Sequence, residues 1–467
     1  MLPLKKESCQ LGLLIILSVM LFVLIVSSDF SGFMKGILSV LLLLITGFGI
    51  RKIIHADGWS GFVMLKVKEG IGFINWFNRV IGKWMDWIAD FGLVFGFGLF
   101  SLKIFKHVDK KSIFLSLLLL VVFTFFISPY ITLIALTTMN IPGVESNSVS
   151  EVSFISLISL LVLMVGGYVG LLIFGLLAKS FSVLFSLLSF LFGTSQVLDS
   201  TPGVSFVIPG LTIPLIEGAI ALLILLVVHE GAHGIESLRS KIKIKSTGFL
   251  LLGFIPVGAF VDIDEKSLKK RTVKEKLRVA AAGPASNLVL MFIFFIPTII
   301  LLNLLPTFYS DNLIISGFTR DVNSFANEEG GNKLSVNTII YSVNDIELNS
   351  LSDYYSIKNQ IPVNSTVLLK TDKGEFRVKT DENGKIGIIL SQTIKPEFQW
   401  IYSLYLIFAL TTVLNFFVGV INLLPVQMFD GYRIIDESVK DKRIVRFISY
   451  LVLFAILLNL LPWIWQR

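Results

Sequence analysis

Residues Leu211 to Val228 form an almost uninterrupted apolar run, and runs of this kind constrain this chain more than any other feature. A bilayer core offers no partner for a backbone N–H or C=O, so a spanning segment must close its hydrogen bonds as a helix or a closed barrel. Apolar stretches of the length a helix needs to cross a bilayer fall near 11–27, 33–50, 112–136, 153–178, 180–196, 213–235, 279–305, 400–424 and 444–464, giving about nine spans. The chain therefore reads as a polytopic α-helical membrane protein. Its 54% hydrophobic and 16% charged residues agree, since a soluble core does not need so many apolar side chains.

The run ends in His229-Glu230-Gly231-Ala232-His233. Two imidazoles four residues apart share a helix face and can take two positions of one Zn2+, while the adjacent carboxylate serves as general base on a water. The protein has four histidines in all, so two of them in one pentapeptide is unlike chance. The bland alternative is a pair of polar helix-end groups bonded to a loop. Against it, ionisable residues inside a membrane mark function by default.

Charge patterning gives an orientation. Basic residues collect around Lys5 and Lys6, in 51–111 and in 236–278, whereas 137–152 carries only Glu145 and Glu151 and 306–397 is slightly acidic. Positive-inside logic then makes the N-terminus, 51–111 and 236–278 cytoplasmic and 306–397 extracytoplasmic. The net charge of +7 is accounted for by these loops and gives no reason to invoke nucleic acid. Lys5 and Lys6 before Leu11–Val26 also fit a signal peptide, with Ser27-Ser28 as its cleavage region, but the second span following at once favours an uncleaved first span. The stretch 58–105 interleaves Trp59, Trp76, Trp84 and Trp87 with Lys66, Lys68, Arg79 and Lys83, which predicts interfacial helices, with Phe91–Phe100 dipping into the membrane. The single cysteine, Cys9, excludes an intramolecular disulfide and a cysteine zinc site.

A zinc hydrolase needs a third protein ligand and leaves the fourth position to water. Asp430 is the best candidate: it follows the apolar run Ile401–Leu424, precedes Gly431, and falls at the same membrane face as His233. His233 lies six residues from Arg239, roughly 9 Å of helix below the first interfacial cation. Glu217 is about 18 Å along the helix from His229 and too far for one ion. Asp262, Asp264 and Glu265 sit in a basic loop, Asp436 and Glu437 stay open as alternatives, and a helix-capping role for Asp430 competes with ligation.

Between late spans, 306–397 alternates at Thr338–Val343, Thr366–Lys370 and Phe376–Thr380, with turns at Asp372-Lys373-Gly374 and Asn383-Gly384, and predicts a small β-rich domain. The segment 246–261 is too short to span and is punctuated by Gly248, Gly253, Pro256 and Gly258. Non-helical backbone at that depth belongs where it is buried or lines a wet cavity.

HEGAHG at 229–234, GFIPVGAFVDIDE at 253–265, AAGPASN at 281–287 and NLLPVQMFDG at 422–431 together resemble the site-two protease family of intramembrane zinc metalloproteases. The resemblance covers roughly 205–440; Phe429 and Tyr432 stand where Leu and Gly are more common. It implies a three-helix zinc protease core with a membrane-dipping β segment, and zinc held by His229, His233 and Asp430 with Glu230 activating water. By position and strand pattern, 306–397 resembles the PDZ domain inserted in many members, with a β-rich spacer as the alternative. The implied organisation is an N-terminal membrane region 1–205, a first core half 206–305, the PDZ-like domain 306–397 and a second core half 398–467. The implied activity is hydrolysis of peptide bonds within transmembrane segments of membrane-protein substrates, near the cytoplasmic side of the cell membrane.

Asn287 and Asn422 are polar groups on helices expected to face the site, as substrate or transition-state contacts or as interhelical hydrogen bonds. Gly283 and Pro284 are expected to permit close helix packing. Two other readings compete. Prenyl-protein and stress-type membrane zincins share His-Glu-x-x-His but take a Glu from a downstream Glu-x-x-x-Asp helix, and no such pair occurs in the later apolar segments. A non-catalytic scaffold acting through the β domain predicts a broken metal set, whereas every residue needed is present.

Overall fold

The computed structural model describes residues 5–28, 30, 32–106, 108, 110–139, 154–194, 200–319, 334–358 and 360–464. The acidic 137–152 stretch with Glu145 and Glu151 lies largely outside them. Two compact units appear, residues 1–295 with 407–467 and residues 296–406.

In the first unit, α1 (Lys5–Ser27) and α2 (Gly32–Ile54) pack as a hairpin, bridged by a buried hydrogen bond of 2.8 Å from Thr46 Oγ1 to Ser18 Oγ. Next come β1 (Phe62–Val67), α3 (Glu69–Phe97), the short α4 (Ser101–Ile104), α5 (Lys110–Val122) and α6 (Ser128–Thr138). A wide π-turn, Phe123–Ile127, joins the last two. It leads into Pro129, which has no N–H to continue the ladder. The long α7 (Phe154–Leu191) is broken at Gly167, where φ is 62° and ψ −163°, a conformation open in practice only to glycine. The break lets the backbones of Gly96 and Gly98 press against it: a Cβ on Gly167 would lie 2.3 Å from the Gly96 carbonyl oxygen.

Then follow α8 (Leu215–Arg239), β2 (Ile244–Leu252), β3 (Ile255–Ile263), α9 (Glu265–Lys269) and α10 (Val273–Leu304). Local chemistry sets their starts. Asp264 caps α9 by accepting from the Ser267 N–H at 3.2 Å. Thr272 and Glu275 form a reciprocal capping box before α10, at 2.9 Å and 3.3 Å. The strands make an antiparallel sheet in the order β1-β2-β3, so β3 is an outer strand.

The second unit holds β4 (Tyr309–Phe318), β5 (Ile339–Val343), β6 (Ile346–Glu347), α11 (Leu351–Lys358), β7 (Thr366–Thr371), β8 (Gly374–Lys379) and β9 (Ile388–Ile394). Its antiparallel sheet runs β8-β7-β5-β4-β9 around Leu313, Ile315, Ile340, Leu369 and Phe376, with β6 against β5. The compact unit, residues 296–406, includes the 306–397 stretch. The chain finishes with α12 (Gln399–Ile421), α13 (Asp430–Ser438) and α14 (Lys442–Leu460), the last capped by Asp441.

Among the described residues, nine helices are long and apolar enough to cross a membrane. They are not quite the nine expected. Over their described residues the two runs 153–178 and 180–196 fall on one broken helix, Phe154–Leu191, and 58–105 is not a set of interfacial helices: it contains β1 and a helical stretch, Glu69–Ile104, that qualifies on length and hydropathy. One span fewer and one more cancel in the count and leave the parity of everything after α7 unchanged.

Candidate metal centre

α8 presents His229 and His233 on one face, at ring centroids 4.9 Å apart. Asp430 comes to them from far along the chain. After α12, a tight loop is tied by the Gly431 N–H donating to the Asn422 carbonyl at 2.7 Å, and this turns the first carboxylate of α13 back toward α8. Phe429 and Tyr432 leave that loop closed, with the Phe429 N–H on the Val426 carbonyl at 2.8 Å.

Three donor atoms converge. His229 Nε2 and His233 Nε2 each lie 3.2 Å from Asp430 Oδ2, and the two nitrogens lie 3.3 Å apart. Tetrahedral zinc with bonds of 2.0–2.1 Å requires ligand–ligand edges of about 3.3 Å, so the triangle has the size of one face of that polyhedron. No other group of three or more such side chains converges among the described residues. Burial pushes the Asp430 carboxyl up, but the facing imidazoles outweigh it and hold the group below the usual carboxylate range.

The far side of each imidazole is consistent with ligation through Nε2. His233 Nδ1–H donates to the Val279 carbonyl at 2.7 Å, which leaves the Nε2 lone pair free. His229 Nδ1 faces the amide of Asn287 at 3.1 Å, while Asn287 Oδ1 is buried with no partner. Turning that amide by half a turn gives Nδ1–H an acceptor and relieves the orphaned oxygen, the orientation a metal on Nε2 requires. Gly283 on α10 makes room for both rings. A Cβ there would stand 2.4 Å from His233 Nε2 and 2.7 Å from His229 Nε2.

Glu230 lies beside the triangle and accepts the Val261 N–H of β3 at 3.0 Å. A cleft of about 370 Å³ opens there, lined by His229, Glu230, His233, Asn422, Asp430 and Arg433 among others. Asn422 is among the residues lining the cleft. Asn287 is not: it is fully buried behind His229, against the expectation of substrate contact. Among the competing acids Glu265 also lines the cleft, and three of them are paired with cations. Glu265 pairs with Arg433 at 3.3 Å, Asp436 with Lys442 at 2.9 Å and Glu437 with Lys276 at 3.2 Å. Val279 and Gly283 carried no ligand-type side chain to betray them. Only the small-residue run 280–283 before Pro284 hinted at a close approach.

A bundle of apolar helices holding a His-His-Asp triangle sized for one metal ion, with a glutamate alongside, defines a membrane-type metallohydrolase site. The chain belongs to peptidase family M50, the site-two protease family of zinc-dependent metalloproteases, whose family model matches residues 217–461. It is 34% identical over 249 residues to an uncharacterized protein of Methanocaldococcus jannaschii. That match takes in 51% of this chain and 62% of the relative, so the chain spans less than two thirds of the relative's length.

Proposed function

We propose that this protein is an intramembrane zinc endopeptidase that cuts peptide bonds within transmembrane segments of membrane-protein substrates. The convergence of His229, His233 and Asp430 on a helix bundle apolar enough for a bilayer carries the reading. These three residues would hold the ion, which when bound supplies an acidified water and polarises the scissile carbonyl.

The chain's own residues do the rest. Glu230 takes the proton from the attacking water on a carboxylate oxygen and delivers it to the departing amide nitrogen. Asn422, on the cleft wall, donates to the oxygen of the substrate carbonyl as negative charge develops there. Asn287 and the Val279 carbonyl fix the tautomers and ring planes of His229 and His233. A transmembrane helix hides its carbonyls in internal hydrogen bonds, so the substrate must unwind first. The outer edge of β3 can accept it as an added strand, a sequence-tolerant mode of binding through main-chain bonds. The 306–397 domain is read as PDZ-like, recognising or filtering the extracytoplasmic tail of a substrate.

The test is purified full-length protein in detergent with a single-pass membrane substrate, wild type beside Glu230→Gln. The reading predicts zinc-dependent cleavage inside the apolar segment, reduced at least about a hundredfold in the variant. Cleavage by Glu230→Gln at the wild-type rate would count against it.

A further inference from the structure

The family match begins at residue 217, yet the site is braced by a helix that precedes it. Asp86 and Asp90 stand one turn apart on α3 and face two arginines. Asp90 grips Arg278 of α10 as a fork, Oδ1 to Nε at 3.0 Å and Oδ2 to Nη2 at 2.5 Å. Asp86 reaches both arginines: Oδ2 pairs with Arg278 Nη1, and Oδ1 takes Arg239 of α8 at 2.8 Å to Nε and 2.6 Å to Nη2. Glu236, nearly fully buried on α8, completes the cluster 3.9 Å from Arg239.

This cluster is adjacent to the metal-ligating residues. Arg278 is the residue before Val279, whose carbonyl accepts from His233 Nδ1–H. Arg239 lies six residues beyond His233 on the same helix. Asp86 therefore ties together the two helices whose relative position sets the His233–Val279 hydrogen bond. Packing supports the same contact. Gly92 lies so close to α10 that a Cβ would stand 2.3 Å from the Ala285 Cβ, and Ile74, Met85 and Ile88 share one buried cluster with Ala232, Ile235, Ala282 and Ala285.

The structure assigns Asp86 and Asp90 as positioning residues for the metal centre, acting through Arg278 and Arg239 on the Val279 carbonyl and so on His233. α3 is then a fourth helix of the catalytic core. The inference rests on the metal-centre reading given under Proposed function. A planar, bidentate arginine fork fixes direction as well as distance, which a point charge does not. Partners behind a metal-ligating histidine tune affinity by roughly 10–100-fold when removed.

The test uses the full chain in detergent, with zinc affinity read by competition with a chromogenic chelator and ligand geometry by the visible spectrum of bound cobalt(II). Arg278→Gln should weaken zinc by about tenfold or more and shift the cobalt bands, and Arg278→Lys should recover only part of the affinity. Asn459→Ala is the control for general destabilisation, since Asn459 ties α14 to α7 through Leu176 and Ser180. It should lower the thermal midpoint and leave zinc and cobalt readouts unchanged. Wild-type affinity and spectrum in Arg278→Gln overturn the assignment, as does an equal loss of zinc in Asn459→Ala. If Arg278→Gln does not fold, Asp86→Asn carries the same test with the Asp90 fork intact, and wild-type zinc affinity there overturns it. Absence of zinc from folded wild type counts instead against the metal centre itself.

Discussion

Two residues with no ligand chemistry shape the site most directly. Gly283 leaves the space the two imidazoles fill, so Gly283→Ala should lower zinc affinity by about tenfold or more while the helical circular dichroism stays unchanged. Retained zinc in that variant would mean the rings sit elsewhere. With its amide turned so that Oδ1 faces the imidazole, Asn287 accepts from His229 Nδ1–H, which makes its substitutions unequal. Asn287→Leu should weaken zinc by roughly 10–100-fold, and Asn287→Asp, which keeps an acceptor oxygen, should weaken it much less. Equal losses in both would remove the hydrogen-bonding role. His229, Glu230, His233 and Asp430 were legible in the sequence because each carries its chemistry in its side chain. Val279 was not, because its contribution is a backbone carbonyl whose partner lies on another helix.

Elements were legible where their signal is local. β7 and β8 were evident from alternation and the turn at Asp372-Lys373, and the second ends one residue short of the expected Thr380. β1 was missed because Phe62–Val67 is embedded in a basic, tryptophan-rich stretch, and its partner β2 lies nearly two hundred residues away, so only tertiary pairing makes it a strand. α7 was divided in two because hydropathy dips near Lys179, whereas the real break is at Gly167. Placing Ala there forces a Cβ into a conformation that costs on the order of 1–3 kcal/mol, with a clash against the Gly96 carbonyl besides. Gly167→Ala should therefore lower the thermal midpoint clearly, and Gly166→Ala, one residue earlier with open space around it, should not. Similar midpoints for the two would show that the break is not needed.

At the scale of the whole molecule, we propose from the nine candidate spans among the described residues and the basic loops that the metal centre lies toward the cytoplasmic face and that 306–397 is extracytoplasmic. This orientation is a proposal, and it survives the exchange of one span for another because the parity beyond α7 is the same. In a Cys9→Ser background, cysteines placed at the exposed Lys266 and Glu382 should react with a membrane-impermeant maleimide from opposite faces of sealed cells. Reaction of both from outside would invalidate the assignment of sides. Asp430, some two hundred residues beyond His229, is still part of one site because α8 and α12 pack through Ala221, Leu225, Leu410 and Leu414, and the loop after α12 returns the carboxylate to α8. The most direct test of that architecture is zinc per chain in purified wild type beside His233→Ala and Asp430→Ala. The account predicts about one zinc in wild type and its loss from both variants. Full zinc retention by folded Asp430→Ala would contradict it.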